Sequence, residues 1–358
     1  MLDVAMTSHQ ESIARSLLRC ASCRFAALYF VPFFAGLVLT GGDTILGALL
    51  AAAFSLAFST SVEVTNRLTD RVEDAVNRPE RTALCERVGW QRLQAFEVAS
   101  WCTVAGLGVL WLCLNPSPLL AGLLLAGAVF GVGYSRGPRL ARARYAGLVV
   151  LNLTFGGVFV LGWAAGTSFR DAPAWHQLAS FAPLAVVVGV FVVTLAGIKD
   201  ITDRHGDLSV GYRSPFVDIL DRRRSNWLMA LAAAPFALVC LFTLAGLLAP
   251  RLLALVAFAP SSVLVVEAAL NANTPHERLV VREIFYRYWF IFSSASLLLF
   301  TPRPDLLIAI AGAWLYWIMA TRWLHWTPSV TFTDIKALWT PMTRRDPQSV
   351  HPEATGCQ

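Results

Sequence analysis

Charged residues are scarce in this sequence. Only 15% of its 358 residues are Asp, Glu, Lys or Arg, whereas 56% are hydrophobic and the mean hydropathy is +0.58. Since a soluble globular chain carries about 25% charged residues, this composition argues against a water-soluble domain and indicates a protein embedded in lipid. Lysine is almost absent, because 27 of the 29 basic residues are arginines.

Strict alternation of polar and apolar residues, which a membrane-spanning β-barrel needs, is also absent. The sequence has instead a series of apolar runs close to the about 20 residues that carry a helix across a bilayer. Backbone polar groups in lipid must be satisfied internally, so these runs predict helices. The ten runs are 25–39, 45–65, 93–114, 119–134, 147–165, 181–198, 227–248, 252–270, 288–301 and 306–323. The first and ninth are short, so the prediction is an all-α polytopic membrane protein with nine or ten helices.

Positive charge is distributed unevenly between the segments that join these runs. With the N-terminus inside, the inside segments hold 26 basic residues and the outside loops hold three. This asymmetry follows the positive-inside rule and predicts cytoplasmic termini in an inner or plasma membrane. The net charge of +6 then reflects topology and suits anionic lipid or substrate, and no nucleic-acid partner is needed to explain it.

No low-complexity linker divides the chain. The predicted organisation is a cytoplasmic N-terminal lead-in (1–24), a transmembrane domain (25–323) and a polar cytoplasmic tail (324–358). The seven cysteines imply no disulfide framework. Cys20 and Cys23 form a CxxC pair, but neither a second pair nor a nearby His completes a zinc site.

The first of two aspartate motifs, residues 66–74, follows the second apolar run. It reads Asn66-Arg-Leu-Thr-Asp70-Arg-Val-Glu-Asp74. Residues four apart share one face of a helix, so Asn66, Asp70 and Asp74 form a polar stripe that continues from an apolar helix. Their carboxylate and amide oxygens are the hard ligands that Mg²⁺ prefers.

The second aspartate motif, residues 199–207, follows the sixth run. It reads Lys199-Asp200-Ile-Thr-Asp203-Arg-His-Gly-Asp207, and its three aspartates again share one helical face. Two such stripes facing each other would repel unless a cation or Arg neutralised them, and a magnesium site is favoured over a merely solvated helix end. A diphosphate is the natural third party, because metal ions neutralise its charge as it leaves.

These segments resemble motifs of the UbiA superfamily of intramembrane prenyltransferases. The family's first motif, NDxxDxxxD followed by a stretch like NRPxRPL, resembles residues 66–74 and the following Asn77-Arg78-Pro79-Glu80-Arg81. Its second motif, KDxxDxxGDxxxG, is matched throughout residues 199–211. Between them the family carries a Tyr-Ser pair before a Pro and basic residues, which resembles Tyr134-Ser135-Arg-Gly-Pro138-Arg139-Leu-Ala-Arg142. The matches occur in the family's order and extend over residues 24–300.

The resemblance implies a nine-helix UbiA-type bundle, with run 306–323 as an added tenth helix. It implies Mg²⁺-dependent ionisation of an isoprenyl diphosphate in the membrane and transfer of the prenyl group to an aromatic or quinol-type acceptor. The implied magnesium ligands are Asn66, Asp70, Asp74, Asp203 and Asp207, supported by Asp200. The implied diphosphate contacts are Arg78, Arg81, Arg139 and Lys199, with Arg142 or Arg139 in place of a family lysine that Ala141 replaces. Tyr134 is expected beside the reactive allylic carbon, where it joins the aspartates Asp70, Asp74, Asp203 and Asp207 as a predicted catalytic residue.

The sequence departs from the family pattern at Arg67, where NDxxD has a carboxylate. This departure and Ala141 keep an alternative open, a UbiA-type terpene cyclase in which the prenyl chain's own double bonds attack the cation and no acceptor exists. A secondary transporter is a third interpretation. It is disfavoured because the aspartates lie at helix ends, whereas transporter sites lie near the bilayer midplane on broken helices.

Overall fold

The computed structural model describes residues 12–143, 145–167, 175–221, 225–326 and 330–339. All regular secondary structure in these residues is helical. The α-helices are α1 (Ile13–Cys20), α2 (Ala26–Leu39), α3 (Ile45–Thr69), α4 (Arg71–Asn77), α5 (Pro79–Val88), α6 (Trp90–Leu114), α7 (Pro118–Ser135), α8 (Ala146–Leu153), α9 (Gly156–Gly166), α10 (Trp175–Ser209), α11 (Pro215–Asp221), α12 (Ser225–Leu244), α13 (Ala259–Asn271), α14 (Pro275–Phe300), α15 (Pro304–Leu324) and α16 (Phe332–Trp339). Short 3₁₀ segments lie at Cys23–Phe25, Leu140–Arg142 and Pro250–Phe258. The ends of the predicted lead-in and tail, 1–11 and 340–358, lie outside the described residues.

Each of the ten apolar runs falls in helical segments of this structure. Within the described residues, eight helices are long and apolar enough to cross a membrane, with α8 and α9 counted as one and Pro250–Asn271 as another. Helix α1 and the segment Cys23–Leu39 would form a ninth span with a bend of 55°. Helix α14 has 26 residues, but its first half is charged. The prediction of an all-α polytopic membrane protein is confirmed.

The ninth predicted helix begins much earlier than its apolar run. Helix α14 starts at Pro275 because Thr274 and Glu277 form a capping box, in which each side chain accepts a hydrogen bond from the other residue's backbone N–H. Run 288–301 was expected to borrow flanking residues, and the helix extends it back to Pro275, a start that hydropathy alone does not register because the first half is polar. As a result Arg282 and Glu283, expected in a loop, lie on a helix and are buried.

The first aspartate motif is not one continuous helix. Helix α3 ends at Thr69, and Asp70 caps it before α4 begins. The backbone N–H of Asp70 still donates to the Asn66 carbonyl oxygen at 2.9 Å, and that of Asp74 to the Asp70 carbonyl oxygen at 2.8 Å. The three residues of the predicted stripe therefore still follow one another turn by turn, but with a bend at Asp70. The short helices α4 and α5 fold back across the end of the bundle. This end, which carries both aspartate motifs, is called the motif end below.

Small residues let the central helices approach closely. A Cβ atom at Gly36 of α2 would lie 2.3 Å from the carbonyl oxygen of Phe159, and one at Gly162 of α9 would lie 1.9 Å from that of Phe33. Such contacts are too short for any side chain, so α2 and α9 pack backbone against backbone, as small residues allow in membrane bundles. This packing buries Phe33 and Phe159 in the main core.

A second, smaller core lies at the motif end. It contains Cys20, Leu68, Leu84 and Cys85, so it joins α1 to α3 and α5. Trp326, just beyond the end of α15, packs on this cluster. Helix α1 and the segment just after α15 therefore both pack at the motif end.

Candidate active site

Two adjoining cavities lie where the motif end meets the apolar interior of the bundle. The larger, called the apolar chamber, has a volume of ≈ 400 Å³, and the smaller, called the polar chamber, has a volume of ≈ 80 Å³. The residues that line both are Asn66, Arg78, Tyr134, Leu151 and Lys199. Because they share these walls, the two chambers lie side by side.

The polar chamber gathers both aspartate motifs. Its wall contains all six residues predicted as metal ligands or their support: Asn66, Asp70, Asp74, Asp200, Asp203 and Asp207. Arg142 also lines it, together with the shared residues Arg78, Tyr134 and Lys199. The two acidic stripes therefore face each other as the sequence predicts, whereas their role as metal ligands stays a prediction.

A glycine makes this juxtaposition possible. The backbone N–H of Gly206 on α10 donates to the side-chain oxygen of Asn77 on α4 at 3.0 Å. A Cβ atom at residue 206 would lie 2.4 Å from the Asn77 amide nitrogen and 2.6 Å from the Glu73 carbonyl oxygen. Only glycine permits this approach, so the second motif carries its glycine where the first motif touches it.

Buried arginines hold the carboxylates of the two motifs together. Arg78 donates to Asp74 at 3.1 Å and to Asp203 at 2.5 Å, and it therefore spans both motifs. Arg81 also donates to Asp74, and Arg282 donates to Asp203 at 2.7 Å. All five residues are buried, and charges removed from water in this way need such partners.

Asp74 and Asp70 differ in their charge balance. Burial raises the pKa of Asp74, but Arg81, Arg78 and Arg67 lower it more, so the pKa is about 2. Burial and the neighbouring Asp74 raise the pKa of Asp70, whose closest basic group is the Arg142 guanidinium at 4.0 Å. An added cation would therefore stabilise the ionised form of Asp70 more than that of Asp74.

The donor set suits a hard cation that shares its ligands with a substrate. Within the described residues, no three carboxylate, imidazole or thiol groups converge closely enough to hold an ion unaided. Magnesium commonly binds through one or two carboxylates plus substrate phosphate oxygens and water. Asp70 on one side, and Asp207 with Asp200 on the other, could supply such carboxylates. Asn66 could add its amide oxygen beside Asp70. In the part of the chain that the structure describes, neither Asp200 nor Asp207 is in an ion pair.

The apolar chamber is lined largely by aromatic and aliphatic side chains from the membrane-spanning helices. Its aromatic walls are Phe25, Tyr29, Phe33, Phe54, Phe58, Phe130, Tyr134, Phe285, Tyr286, Trp289 and Trp326. Chambers of this size and lining are typical of sites for largely apolar ligands. Its deep part suits a hydrocarbon chain whose polar end lies at Tyr134 and Lys199.

The end of the apolar chamber nearest the motifs is rich in positive charge. Its basic residues are Arg24, Arg67, Arg78, Arg81, Lys199 and Arg282, against the acidic residues Glu63 and Glu283. Arg67, which replaces a motif carboxylate, pairs with Glu63 one turn earlier and lies 3.8 Å from Asp74. The substitution therefore exchanges a carboxylate for a buried guanidinium and brings Glu63 into the site.

Not every predicted phosphate-binding residue reaches the site. Arg139 is exposed in the loop after α7, has a left-handed backbone with φ of 46°, and lines neither chamber. Arg142 lines the polar chamber and pairs with Glu73. Between the two candidates for the missing family lysine, the geometry favours Arg142.

Sequence reasoning missed a set of supporting residues. Glu97 is buried in α6, where it accepts hydrogen bonds from Thr65 and Arg136, each at 2.7 Å. The residue before Arg136, Ser135, donates to the side-chain oxygen of Asn66 at 3.0 Å. Glu97 therefore anchors the Tyr134-Ser135 segment beside the first motif. The only signal in the sequence was an acidic residue placed in a long apolar helix.

Comparison with known families agrees with this geometry. The model of the UbiA prenyltransferase family matches residues 29–291 of the chain. The chain belongs to the UbiA prenyltransferase family. No curated protein matches it in sequence.

Solved structures of UbiA-type proteins share the fold. A UbiA homologue from Archaeoglobus fulgidus, solved with DMAPP and Mg²⁺, is 15% identical with a TM-score of 0.55 over 80% of this chain and 99% of that one. The apo structure of a UbiA homologue from Aeropyrum pernix K1 is 21% identical, with a TM-score of 0.51 over 81% and 96% of the two chains. A digeranylgeranylglyceryl phosphate synthase is 15% identical, with a TM-score of 0.52 over 84% and 99%. At these identities the likeness shows a common fold.

The contact at Gly206 gives a direct test of the site's geometry. We expect Gly206→Ala to lower the free energy of unfolding by about 1–3 kcal/mol, because a methyl group overpacks the contact with α4. It should also impair any activity that needs both motifs, since they are pushed apart. The matched control is Gly312→Ala in α15, where a Cβ atom meets nothing within 4 Å. Thermal unfolding of both variants in lipid measures the difference, and equal stability would contradict the close contact.

Proposed function

We propose that this protein ionises an isoprenyl diphosphate in an Mg²⁺-dependent reaction in the membrane and transfers the prenyl group to an aromatic or quinol-type acceptor. One observation carries the proposal. The apolar chamber and the aspartate-lined polar chamber meet at Asn66, Arg78, Tyr134 and Lys199. An apolar chain joined to a strongly anionic head is the ligand that such a pair of chambers fits.

The fold relatives support the choice of substrate and metal. The UbiA homologue from Archaeoglobus fulgidus has been solved with DMAPP and Mg²⁺ and with GPP and Mg²⁺. By analogy, the magnesium ligands proposed here are Asn66, Asp70, Asp74, Asp203 and Asp207, with Asp200 in support. When bound, the metal would neutralise the charge that develops on the departing diphosphate.

The chain's own residues bind and orient the diphosphate in this proposal. Lys199, Arg78 and Arg142 line the polar chamber. Arginine suits phosphate because its planar fork donates two parallel hydrogen bonds, whereas lysine acts as a compact point charge. Arg139 is exposed and lines neither chamber, so of the predicted diphosphate contacts it is the one with the least support.

The walls of the apolar chamber protect the allylic cation. Tyr134 lies at the junction of the two chambers, so its ring is close to the carbon that loses the diphosphate, and an aromatic face stabilises positive charge. The phenylalanine and leucine walls beyond it exclude water, which would otherwise capture the cation.

The positive charge at the motif end of the apolar chamber favours transfer over cyclisation. A cyclase encloses a hydrocarbon and has no use for Arg24, Arg67 and Arg81 in the wall of its reaction chamber. These guanidinium groups pair with Glu283, Glu63 and Asp74, and a wall of such ion pairs suits a second, polar substrate held beside the prenyl chain. Cyclisation remains the alternative, because aromatic walls also suit a folded prenyl chain.

The metal requirement can be tested at the two aspartates that make no close ion pair. We expect Asp70→Asn and Asp207→Asn each to lower the rate of diphosphate release by about 10²-fold or more, without loss of folded protein. These positions are better tests than Asp203, whose removal would take a buried carboxylate partner from both Arg78 and Arg282. The matched control is Asp305→Asn, whose side chain is half exposed and pairs with Arg303. Undiminished turnover in both variants, or in excess EDTA, would contradict the magnesium proposal.

The proposed orientation places the motif end in the cytoplasm, since the basic residues of the chain cluster there. Single cysteines introduced in segments 66–92, 135–146 and 199–226 should react with a membrane-impermeant thiol reagent only from the cytoplasmic side. A cysteine at Arg303, between α14 and α15, serves as the control and should react only from the opposite side. Labelling of 199–226 from outside would separate the two motifs across the bilayer and overturn the topology.

The product distinguishes transfer from cyclisation. Purified protein in lipid, given Mg²⁺ and a C15 or C20 prenyl diphosphate alone, should release diphosphate slowly and form little cyclic hydrocarbon. A suitable aromatic or quinol-type acceptor should accelerate the release and yield a prenylated product, because the site is complete only when both substrates are bound. Mass spectrometry of the products and a diphosphate assay measure both effects. A cyclic terpene formed at a rate that no acceptor changes would replace the transferase proposal with the cyclase alternative.

A further inference from the structure

Part of the apolar chamber is built by residues outside the region that the family model matches. Ser22 and Arg24 precede residue 29, and Trp326 lies 35 positions beyond residue 291. Trp326 follows the end of α15, the helix that the resemblance marks as an addition to the nine-helix core. The chamber's wall at this point is therefore a feature of this chain rather than of the matched core.

Helix α1 holds the segment that carries Trp326. Arg19 donates from Nε to the His325 carbonyl oxygen at 3.1 Å and from Nη2 to the Trp326 carbonyl oxygen at 3.4 Å. Arg15, one turn earlier on the same face, donates twice to the Trp323 carbonyl oxygen, each time at 3.3 Å. Carbonyl oxygens at the C-terminal end of a helix lack partners within the helix, so α1 satisfies the end of α15.

The same segment is fixed from inside the bundle. His325 is buried, and its Nε2 lies 3.6 Å from a carboxylate oxygen of Glu283. Glu283 in turn accepts two hydrogen bonds from the Arg24 guanidinium, at 2.6 and 2.7 Å. With α1 on one side and this buried pair on the other, the backbone at Trp326 has little freedom.

The indole of Trp326 lies at the motif end of the apolar chamber. Its ring centroid is 5.5 Å from the guanidinium carbon of Arg81, and Arg81 donates to Asp74. Through Arg81, this chain of contacts connects Trp326 to Asp74, which lines the polar chamber. The prenyl chain suits the deep part, so the space under Trp326 is left for the second substrate.

We propose that Trp326 determines which acceptors this protein uses, by forming the end wall against which the acceptor ring lies. The inference rests on the transfer function proposed above and deepens it. The indole face and the adjacent Arg81 offer a planar ring both stacking and cation–π contacts. The indole occupies volume at this end of the chamber, so a smaller side chain at position 326 would leave more room for a fused two-ring acceptor.

Acceptor competition tests the proposal. Wild type, Trp326→Ala, Trp326→Phe and the control Trp323→Ala are assayed in lipid with matched one-ring and two-ring hydroxylated aromatic acceptors. Trp323 is half exposed, lies three residues away and lines neither chamber. We expect Trp326→Ala to raise kcat/KM for the two-ring acceptor relative to the one-ring acceptor at least tenfold, mainly through the acceptor's KM. Trp326→Phe should fall between it and wild type, and Trp323→Ala should match wild type.

Two further readouts separate a specificity role from a structural one. The KM for the prenyl diphosphate and the preferred prenyl chain length should be unchanged in Trp326→Ala, and thermal unfolding reports whether it folds. If Trp326→Ala does not fold, the conservative variant Trp326→Phe provides the test. Its kcat/KM for the two-ring acceptor relative to the one-ring acceptor should be higher than that of wild type. An acceptor ratio within twofold of wild type, or a change in prenyl chain preference instead, overturns the inference while the transfer function stands. A wild-type protein that forms cyclic terpene and prenylates no acceptor overturns both.

Discussion

The bridge that Arg78 makes between Asp74 and Asp203 is the interaction on which the site depends. Burying carboxylates from two motifs beside each other would be strongly unfavourable without a cation between them. Arg78 provides that cation from the short connection between α4 and α5, and Arg81 and Arg282 complete the neutralisation. The two motifs are thereby held at the right separation by the protein itself. Asp70, Asp200 and Asp207 lie outside this network, and in the proposed function they would bind a cation that arrives with the substrate.

The bridge needs a chain that bends back at the right place and helices that touch. Asp70 interrupts what would otherwise be one long helix, and the fold-back of α4 and α5 brings Arg78 over the second motif. Gly206 then allows α10 to approach α4 without a side chain between them. A straight first motif would have placed Arg78 further along the helix axis, and a larger residue at 206 would have held Asp203 away. Backbone geometry and charge pairing therefore depend on each other.

Much of the fold and the centre of the site could be predicted from the sequence, for a physical reason. Apolar runs, charge asymmetry and aspartates spaced along one helical face are local patterns, and they indicated an all-α membrane protein and the aspartates that the structure gathers around the polar chamber. Arg282 and Glu97 were missed because their roles arise from contacts between distant parts of the chain. The start of α14 was missed because its first half is polar and gains stability from capping and burial of paired charges. Arg139 and Arg142 could not be told apart, since loop geometry decides which side chain reaches the chamber.

Charge separation links the two chambers to the chemistry proposed for them. The polar chamber has an acidic wall that would hold a metal-bound diphosphate, whereas the apolar chamber offers aromatic faces and, at its motif end, guanidinium groups. The boundary between them runs through Asn66, Arg78, Tyr134 and Lys199. In the proposed reaction, when the bond to the diphosphate breaks at this boundary, the anion would stay with metal ions held by the aspartates and the allylic cation would stay beside Tyr134. In the same proposal, the molecule that lies beside Tyr134 and Trp326 would capture the cation and so determine the product.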